Sequence, residues 1–214
     1  MSSAPRRTEP HAPAKRLLDV SLSLVGLALF APVHALAAAW VRIEDGGPLL
    51  FVQQRRGQRG RPFQIYKLRT MRDGEVTRLG RWLRSTGLDE TAQFYNVLRG
   101  EMSIVGPRPL TSQDLERLGW AGLPEHPRFA VRPGITGLSQ VFSPGGARHA
   151  LALDALYARR SSARLDLTLI ALSFAMNLVG KRRVRGLLRA ARARSRSARA
   201  RPVSPHAPLR GVRS

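Results

Sequence analysis

Asp89 and Glu90 stand side by side in RSTGLDETAQFYNVLRG, residues 84–100, in a chain otherwise crowded with arginine. Arg81, Arg84, Arg99 and Arg108 lie close by in sequence. Acids gathered among arginines suit phosphoryl transfer, a chemistry made mostly of positioning and charge neutralisation. An aspartate can take a phosphoryl group covalently, and a neighbouring glutamate can hold the Mg2+ that screens a diphosphate. Adjacent side chains in mid-helix point about 100° apart, so a shared task is easier at a helix N-terminus. The spacing predicts a helix from near Asp89 to Gly100, a good C′ residue, with Phe94, Val97 and Leu98 facing the core. Ser85 or Thr86 would cap it, Thr86 and Asp89 having capping-box spacing. The helix dipole would then keep Asp89 ionised, the state required of a nucleophile or a metal ligand. The plainer reading is a first-turn acid that only stabilises its helix, and these residues alone leave both open.

Several elements must position such a pair. PLLFVQQ and PFQIYKLRT flank the basic RRGQRGR, which predicts a β-hairpin. In RDGEVTRLGRWLRSTG, Thr77 is an N-cap and Leu79, Trp82 and Leu83 share one face of a short helix. Arg78, Arg81 and Arg84 occupy the other side, a pattern that suits a membrane interface or an ordinary surface helix. MSIVGPRPL and RPGITGLSQV read as rigid Gly- and Pro-bearing loops, and ALDALYARRSSARLDLTLIALSFAMNLVG as helices. No internal repeat is visible.

Ahead of these, VSLSLVGLALFAPVHALAAAWV, Val20–Val41, holds no Asp, Glu, Lys or Arg over 22 residues. As straight helix it would measure ~33 Å, enough for a hydrocarbon core, and it fits a cleaved signal peptide poorly. Pro32 near its centre predicts a kink. Both flanks are basic, with Arg6, Arg7, Lys15 and Arg16 before and Arg42, Arg55, Arg56, Arg59 and Arg61 after. The positive-inside rule asks both to stay cytoplasmic, which favours a helix that enters, bends at Pro32 and returns. His34 is read as bonding a carbonyl freed by that bend, or as a functional group at membrane depth.

Lys and Arg total 36 against 14 Asp and Glu, a formal charge of +22. Such a balance favours polyanions: nucleic acid, anionic headgroups or phosphorylated substrates. Residues 181–214 contribute 12 basic residues and no acid, and the remainder still carries +10. That segment and the first dozen residues read as solvated and disordered. With no cysteine, disulfides, thiolate metal sites and cysteine nucleophiles are excluded. A nucleic-acid-binding protein and a noncatalytic membrane scaffold are the rival readings; the first leaves the apolar run unexplained.

In order, KRLLDVSLSL, FVQQRRGQRGRPFQIYKLRTM, TRLGRWLRSTGLDETAQFYNVLRGEMSIVGPRP, RPGITGLSQV and LDALYARRSSARLDL resemble the bacterial sugar transferase family, over roughly Lys15 to Val179. These are monotopic polyprenyl-phosphate phosphoglycosyl transferases that start polysaccharide assembly. The resemblance implies that Asp89 attacks the β-phosphate of a UDP-sugar, releasing UMP, and that undecaprenyl phosphate then takes the phosphosugar from it. It implies Mg2+ on Glu90, and phosphate contacts from Lys67, Arg69, Arg84 and Arg108. Arg132 and Asp154 are further substrate-binding candidates. Asp166 closes a Tyr157–Ser162–Asp166 pattern and reads equally well as an N-cap. The family's helix break is a Ser-Pro pair; here it is Ala31-Pro32, leaving Ser21, Ser23 or His34 to satisfy a freed carbonyl.

The expected fold is α+β and mainly helical: a re-entrant membrane helix over 15–44 and a catalytic core over 45–180. The core should hold a small β-hairpin and amphipathic interface helices, between a disordered 1–14 and a basic tail over 181–214. Many relatives carry a multi-span N-terminal region, and this chain reads as the catalytic core plus a tail. The expected place is the cytoplasmic face of a bacterial inner membrane. The expected partners are UDP-sugar, undecaprenyl phosphate and anionic headgroups, with no nucleic acid.

Overall fold

The computed structural model describes residues 12–44, 46–123, 125–142, 145–180, 183–184 and 186–187. The predicted disordered start falls mostly outside them, as does most of the basic tail. Helix α1, Ala12–Glu44, runs through Pro32 without interruption. Proline removes one hydrogen bond and crowds one carbonyl, which can bend a helix without ending it. Here both halves are also held from one side. Lys15 Nζ donates to Asp166 at 2.7 Å, Asp19 accepts from the Ile104 amide at 3.0 Å, and Ala37 packs with Leu68 and Leu83. Neither Ser23 nor His34 mends a broken turn. The buried Ser23 hydroxyl has no partner, and His34 bonds Thr91, just after the Asp89–Glu90 pair.

The hairpin forms as expected: β1, Leu50–Arg56, pairs antiparallel with β2, Pro62–Leu68, from Leu50–Leu68 to Arg56–Pro62. Strand alternation sends Phe63 and Ile65 into the core. A two-residue pair follows, β3, Met71–Arg72, and β4, Glu75–Val76. Helix α2, Arg78–Thr86, starts at Thr77, whose hydroxyl accepts from the Gly80 amide, and buries Leu83 while Trp82 stays exposed.

The predicted helix from Asp89 to Gly100 does not form as one piece. Gly87 adopts the left-handed conformation at φ 75 and closes α2, its amide reaching the Leu83 and Arg84 carbonyls. A 3-10 turn, Leu88–Glu90, comes next, then the short helix α3, Gln93–Leu98. Thr86 caps nothing downstream: its hydroxyl donates back to the Trp82 and Leu83 carbonyls. Gly100 does end α3, with φ 78. Val97 is fully buried, Phe94 packs on the core and Leu98 is half-buried. Buried Asn96 ties α3 to β2, accepting from the Tyr66 amide at 3.1 Å and donating to the Gln64 carbonyl at 2.6 Å.

Strand β5, Ser103–Val105, leads into the Gly-Pro-Arg-Pro loop and then α4, Ser112–Arg117, which has a full Thr111–Asp114 capping box. The sequence did not reveal that β5 pairs in parallel with β6, Gly134–Thr136. The pairing presses the two glycine loops together: a Cβ on Gly134 would lie 2.0 Å from the Gly106 nitrogen. Gly134→Ala is therefore expected to cost about 1–3 kcal/mol or more, read as a lowered Tm.

Helices α5, Leu138–Phe142, α6, Ala147–Arg160, and α7, Ala163–Val179, follow. Ser162, not Asp166, caps α7, accepting from the Leu165 amide. Asp166 is instead a buried strut that receives Lys15 and lies 2.8 Å from the Tyr157 hydroxyl. The main core gathers Val97 of α3, Met102 just before β5, Val105 of β5, and Val141, Tyr157 and Leu169 of α5, α6 and α7.

Candidate active site

A cleft of about 1240 Å³ opens between the hairpin, α2, the 3-10 turn and α7. Lys67, Arg84, Asp89, Glu90, Arg108 and Asp154 all line it, so six predicted residues from five separate stretches of chain meet here. Lys67 stands at the end of β2 and donates to Glu90 Oε1 at 2.7 Å. Arg84, in the last turn of α2, donates through Nε to Thr70 Oγ1 at 2.8 Å. Arg108 is exposed on the loop after β5.

Two predicted cations fall outside the cleft lining. Strand β2 ends at Leu68, so Arg69 leaves the pleat and donates to the Met71 carbonyl at 3.0 Å. Arg132 lies in the loop before β6, where its carbonyl backs onto Gly106.

The state of Asp89 differs from expectation. It lies in a three-residue 3-10 turn, with no long helix behind it to supply a dipole. Burial, then the charge on Glu90, raises its pKa above the ordinary aspartate value. Lys67, a backbone hydrogen bond and Arg84 pull in the opposite direction. A raised pKa means a more basic, more nucleophilic carboxylate once the proton is gone, held near cations that keep it ionisable.

No group of three or more His, Asp and Glu side chains arranged to hold a metal occurs among the described residues. The donor set still fits Mg2+. That ion favours one or two carboxylates plus substrate phosphates and water over an all-protein cage. Asp89 and Glu90 supply hard oxygen donors beside the cleft, although Lys67 engages one oxygen of Glu90.

Sequence reasoning missed two arginines. Arg55 on β1 lines the cleft, donates to Asp114 at 3.2 Å and reaches the Pro109 carbonyl at 3.4 Å, bracing the loop that carries Arg108. Arg128, 5% exposed, lies 3.4 Å from Asp154 and stacks 4.8 Å from the Trp120 ring centroid. Its Nη2 donates to the Arg108 carbonyl at 2.8 Å, while buried Nη1 has no hydrogen-bond partner. Burial raises the Asp154 pKa despite the opposing pull of Arg128 and a hydrogen bond with Ser139. The only sequence signal for Arg128 was its place just before the Val-Arg-Pro-Gly loop, and arginines are too common in this chain for that to stand out.

The cleft also has apolar lining: Phe30 of α1 and Ile170, Phe174 and Leu178 of α7. Phe174 and Leu178 are also among the most exposed large apolar side chains. One cavity is thus lined by an acid pair, by several cations and by apolar side chains.

A 46% identical stretch of 142 residues is shared with a UDP-glucose:undecaprenyl-phosphate glucose-1-phosphate transferase of Caulobacter vibrioides, covering 59% of this chain and 53% of that protein. A UDP-N-acetylgalactosamine-undecaprenyl-phosphate N-acetylgalactosaminephosphotransferase of Aeromonas hydrophila is 36% identical over 146 residues, 61% of this chain and 34% of that one. The exopolysaccharide production protein PSS of Rhizobium leguminosarum bv. phaseoli is 35% identical over 181 residues, 73% of this chain and 90% of that one. The chain spans about half the length, or less, of the first several curated relatives it matches. The sequence model described as bacterial sugar transferase matches residues 10–180, which hold every element from the apolar helix to the end of α7, and the chain belongs to that family.

Proposed function

We propose that this chain transfers a sugar 1-phosphate from a UDP-sugar to undecaprenyl phosphate at a membrane surface, as an initiating step of exopolysaccharide or related glycan synthesis. The observation that carries the reading is the meeting of Asp89 and Glu90 with Lys67, Arg84 and Arg108 in a cleft that is also lined by apolar side chains. A diphosphate needs the cations, a covalent step needs the carboxylate, and a polyprenyl chain needs apolar surface. The names of the Caulobacter and Aeromonas relatives point to the same substrates.

In this mechanism an Asp89 carboxylate oxygen attacks the β-phosphorus. The bond from that phosphorus to the bridging oxygen breaks, and the electron pair leaves with UMP. An oxygen of undecaprenyl phosphate then attacks the same phosphorus and expels Asp89 as carboxylate, so the enzyme is restored. Arg84 and Arg108 bind phosphate oxygens, and Lys67 holds Glu90 in place. Glu90, with Asp89 beside it, would hold Mg2+, which when bound neutralises diphosphate charge. The test uses membranes bearing the protein, Mg2+, undecaprenyl phosphate and a panel of UDP-glucose, UDP-galactose and their N-acetylated forms. UMP release with a lipid-linked phosphosugar is expected for at least one donor, and none with any donor overturns the reading.

The helix α1 is long and apolar enough to cross a bilayer, yet we read it as entering and leaving on one face. Its contacts with the catalytic body extend from Lys15 to Ala37, ~33 Å of helix. A perpendicular crossing would drag charged parts of that body through the hydrocarbon. The opposite stripe, Leu17, Leu24, Leu29, Leu36 and Ile43, is exposed and suits lipid. Cysteines at Ser3 and Gln58 should therefore both react with a cytoplasmic thiol reagent and neither with a periplasmic one. Opposite labelling would mean a span.

A further inference from the structure

Thr91 follows the catalytic turn directly, and its side chain closes it. The Thr91 hydroxyl donates to the Leu88 carbonyl at 2.7 Å, and the Thr91 amide reaches the same oxygen at 3.2 Å. These bonds span the three residues that include Asp89 and Glu90. A hydroxyl has one proton to give. With it directed to Leu88, the 2.7 Å contact between Thr91 Oγ1 and His34 Nε2 must be filled by a proton on the imidazole. His34 is thus the donor, on the tautomer carrying Nε2–H.

His34 does not act alone on α1. Gly26, Phe30 and His34 recur every four residues and so share one stripe of the helix. A Cβ at Gly26 would come within 2.7 Å of the Phe94 ring, so the aromatic sits against bare backbone there. Phe30 stacks on Phe94, centroids 6.4 Å apart and planes 8° from parallel. Phe94 is in turn three residues beyond Thr91, and its amide bonds the Thr91 carbonyl at 3.2 Å. The membrane helix therefore grips residues 91–94 by an apolar clamp and by one polar link.

We infer that His34 is a positioning residue: by donating Nε2–H to the Thr91 hydroxyl, it fixes the turn carrying Asp89 and Glu90 to the membrane helix. The polyprenyl acceptor arrives from the bilayer that α1 faces, and the nucleophile must stay at a set depth to meet it. An apolar stripe can slide; a hydrogen bond of fixed length resists that. A polar ring set two residues after Pro32, in an otherwise uncharged run, has this as its use. The inference rests on the transfer reaction proposed above, because depth matters only if the acceptor is a lipid.

Four variants of the full chain in lipid nanodiscs test it: His34→Leu, His34→Gln, Thr91→Val and the double His34→Leu/Thr91→Val. In amide hydrogen exchange, which needs no substrate, His34→Leu should speed residues 87–95 about tenfold while hairpin residues 50–68 stay unchanged. In turnover, its kcat for UMP release should fall about tenfold with KM for the UDP-sugar within twofold. His34→Gln retains an N–H donor and should recover most of both effects. Thr91→Val also loses the bond to the Leu88 carbonyl and should be at least as severe as His34→Leu, and the double variant should be no worse than Thr91→Val alone. Unchanged exchange in His34→Leu, no rescue by glutamine, or additive single effects would each overturn the inference. If the wild-type chain transfers no sugar from any donor while exchange behaves as expected, the transfer reading falls and the coupling of α1 to the turn stands.

Discussion

Asp89→Asn is expected to abolish transfer, with UMP release falling on the order of 10⁴-fold or more and no phosphosugar trapped on the protein. Asparagine keeps the shape of the side chain and takes away its nucleophile, so donor binding by Arg84 and Arg108 should survive. Incubation with UDP-sugar alone, followed by mass spectrometry of the peptide containing residue 89, reads the result directly. A hexose phosphate on Asp89 in wild type, absent from Asp89→Asn, is the expected pair of spectra. Normal turnover in the variant would remove the carboxylate from the mechanism, and a scaffold role would leave wild type and variant alike inert.

The same substitution should raise stability at neutral pH. Burial and Glu90 raise the folded-state pKa of Asp89, so the folded protein holds that proton more tightly than the unfolded chain does. By linkage, this site's contribution is most favourable below the unfolded pKa and is lost as pH rises through the folded one. At neutral pH the carboxylate is therefore a net cost, which a neutral asparagine relieves. A higher Tm for Asp89→Asn than for wild type at pH 7, with the gap closing toward acid, is the expected pattern. A carboxylate kept at the expense of stability fits the nucleophile proposed above better than a helix cap.

Arg128→Leu is expected to have the largest structural effect, destabilising the chain by about 3–5 kcal/mol and lowering Tm by roughly 10 °C. Both members of the Arg128–Asp154 pair are buried, at 5% and 3% exposure, and removing one strands the other's charge. The Arg108 carbonyl and the Trp120 face lose their partner too, so donor KM should rise as the loop carrying Arg108 loosens. Burial already outweighs the ion pair at Asp154, whose pKa is raised despite the cation 3.4 Å away. Replacing both residues by apolar ones, Arg128→Met with Asp154→Leu, should therefore restore most of the lost stability. Thermal melts of the two singles and the double measure this, and a double as unstable as Arg128→Leu would contradict the ledger of burial over pairing.

Local rules made much of this protein legible. Alternating Phe, Val, Ile and Tyr about a glycine tip specify the β1–β2 hairpin, and Thr77 specifies the start of α2. Both follow from backbone sterics and side chains within a few positions. The Asp-Glu pair, the Gly-Pro-Arg-Pro loop and the apolar run were visible because rare residue combinations stand out against any background. The same rules misread the Asp89–Glu90 segment, because the left-handed Gly87 splits what the hydrophobic period joined. Asp89 was thereby moved from a dipole that would lower its pKa to a buried turn that raises it.

Residue order alone decided the chemistry on offer: carboxylates beside cations, no thiol, and one long greasy helix with proline in the middle. Tertiary structure decided which charges meet. Lys67 and Glu90 are 23 positions apart, Arg128 and Asp154 lie on different elements, and β5 finds β6 across an intervening helix. Pairings of that kind depend on how whole elements pack, and a basic residue that will be buried carries no local mark that separates it from its many solvated neighbours.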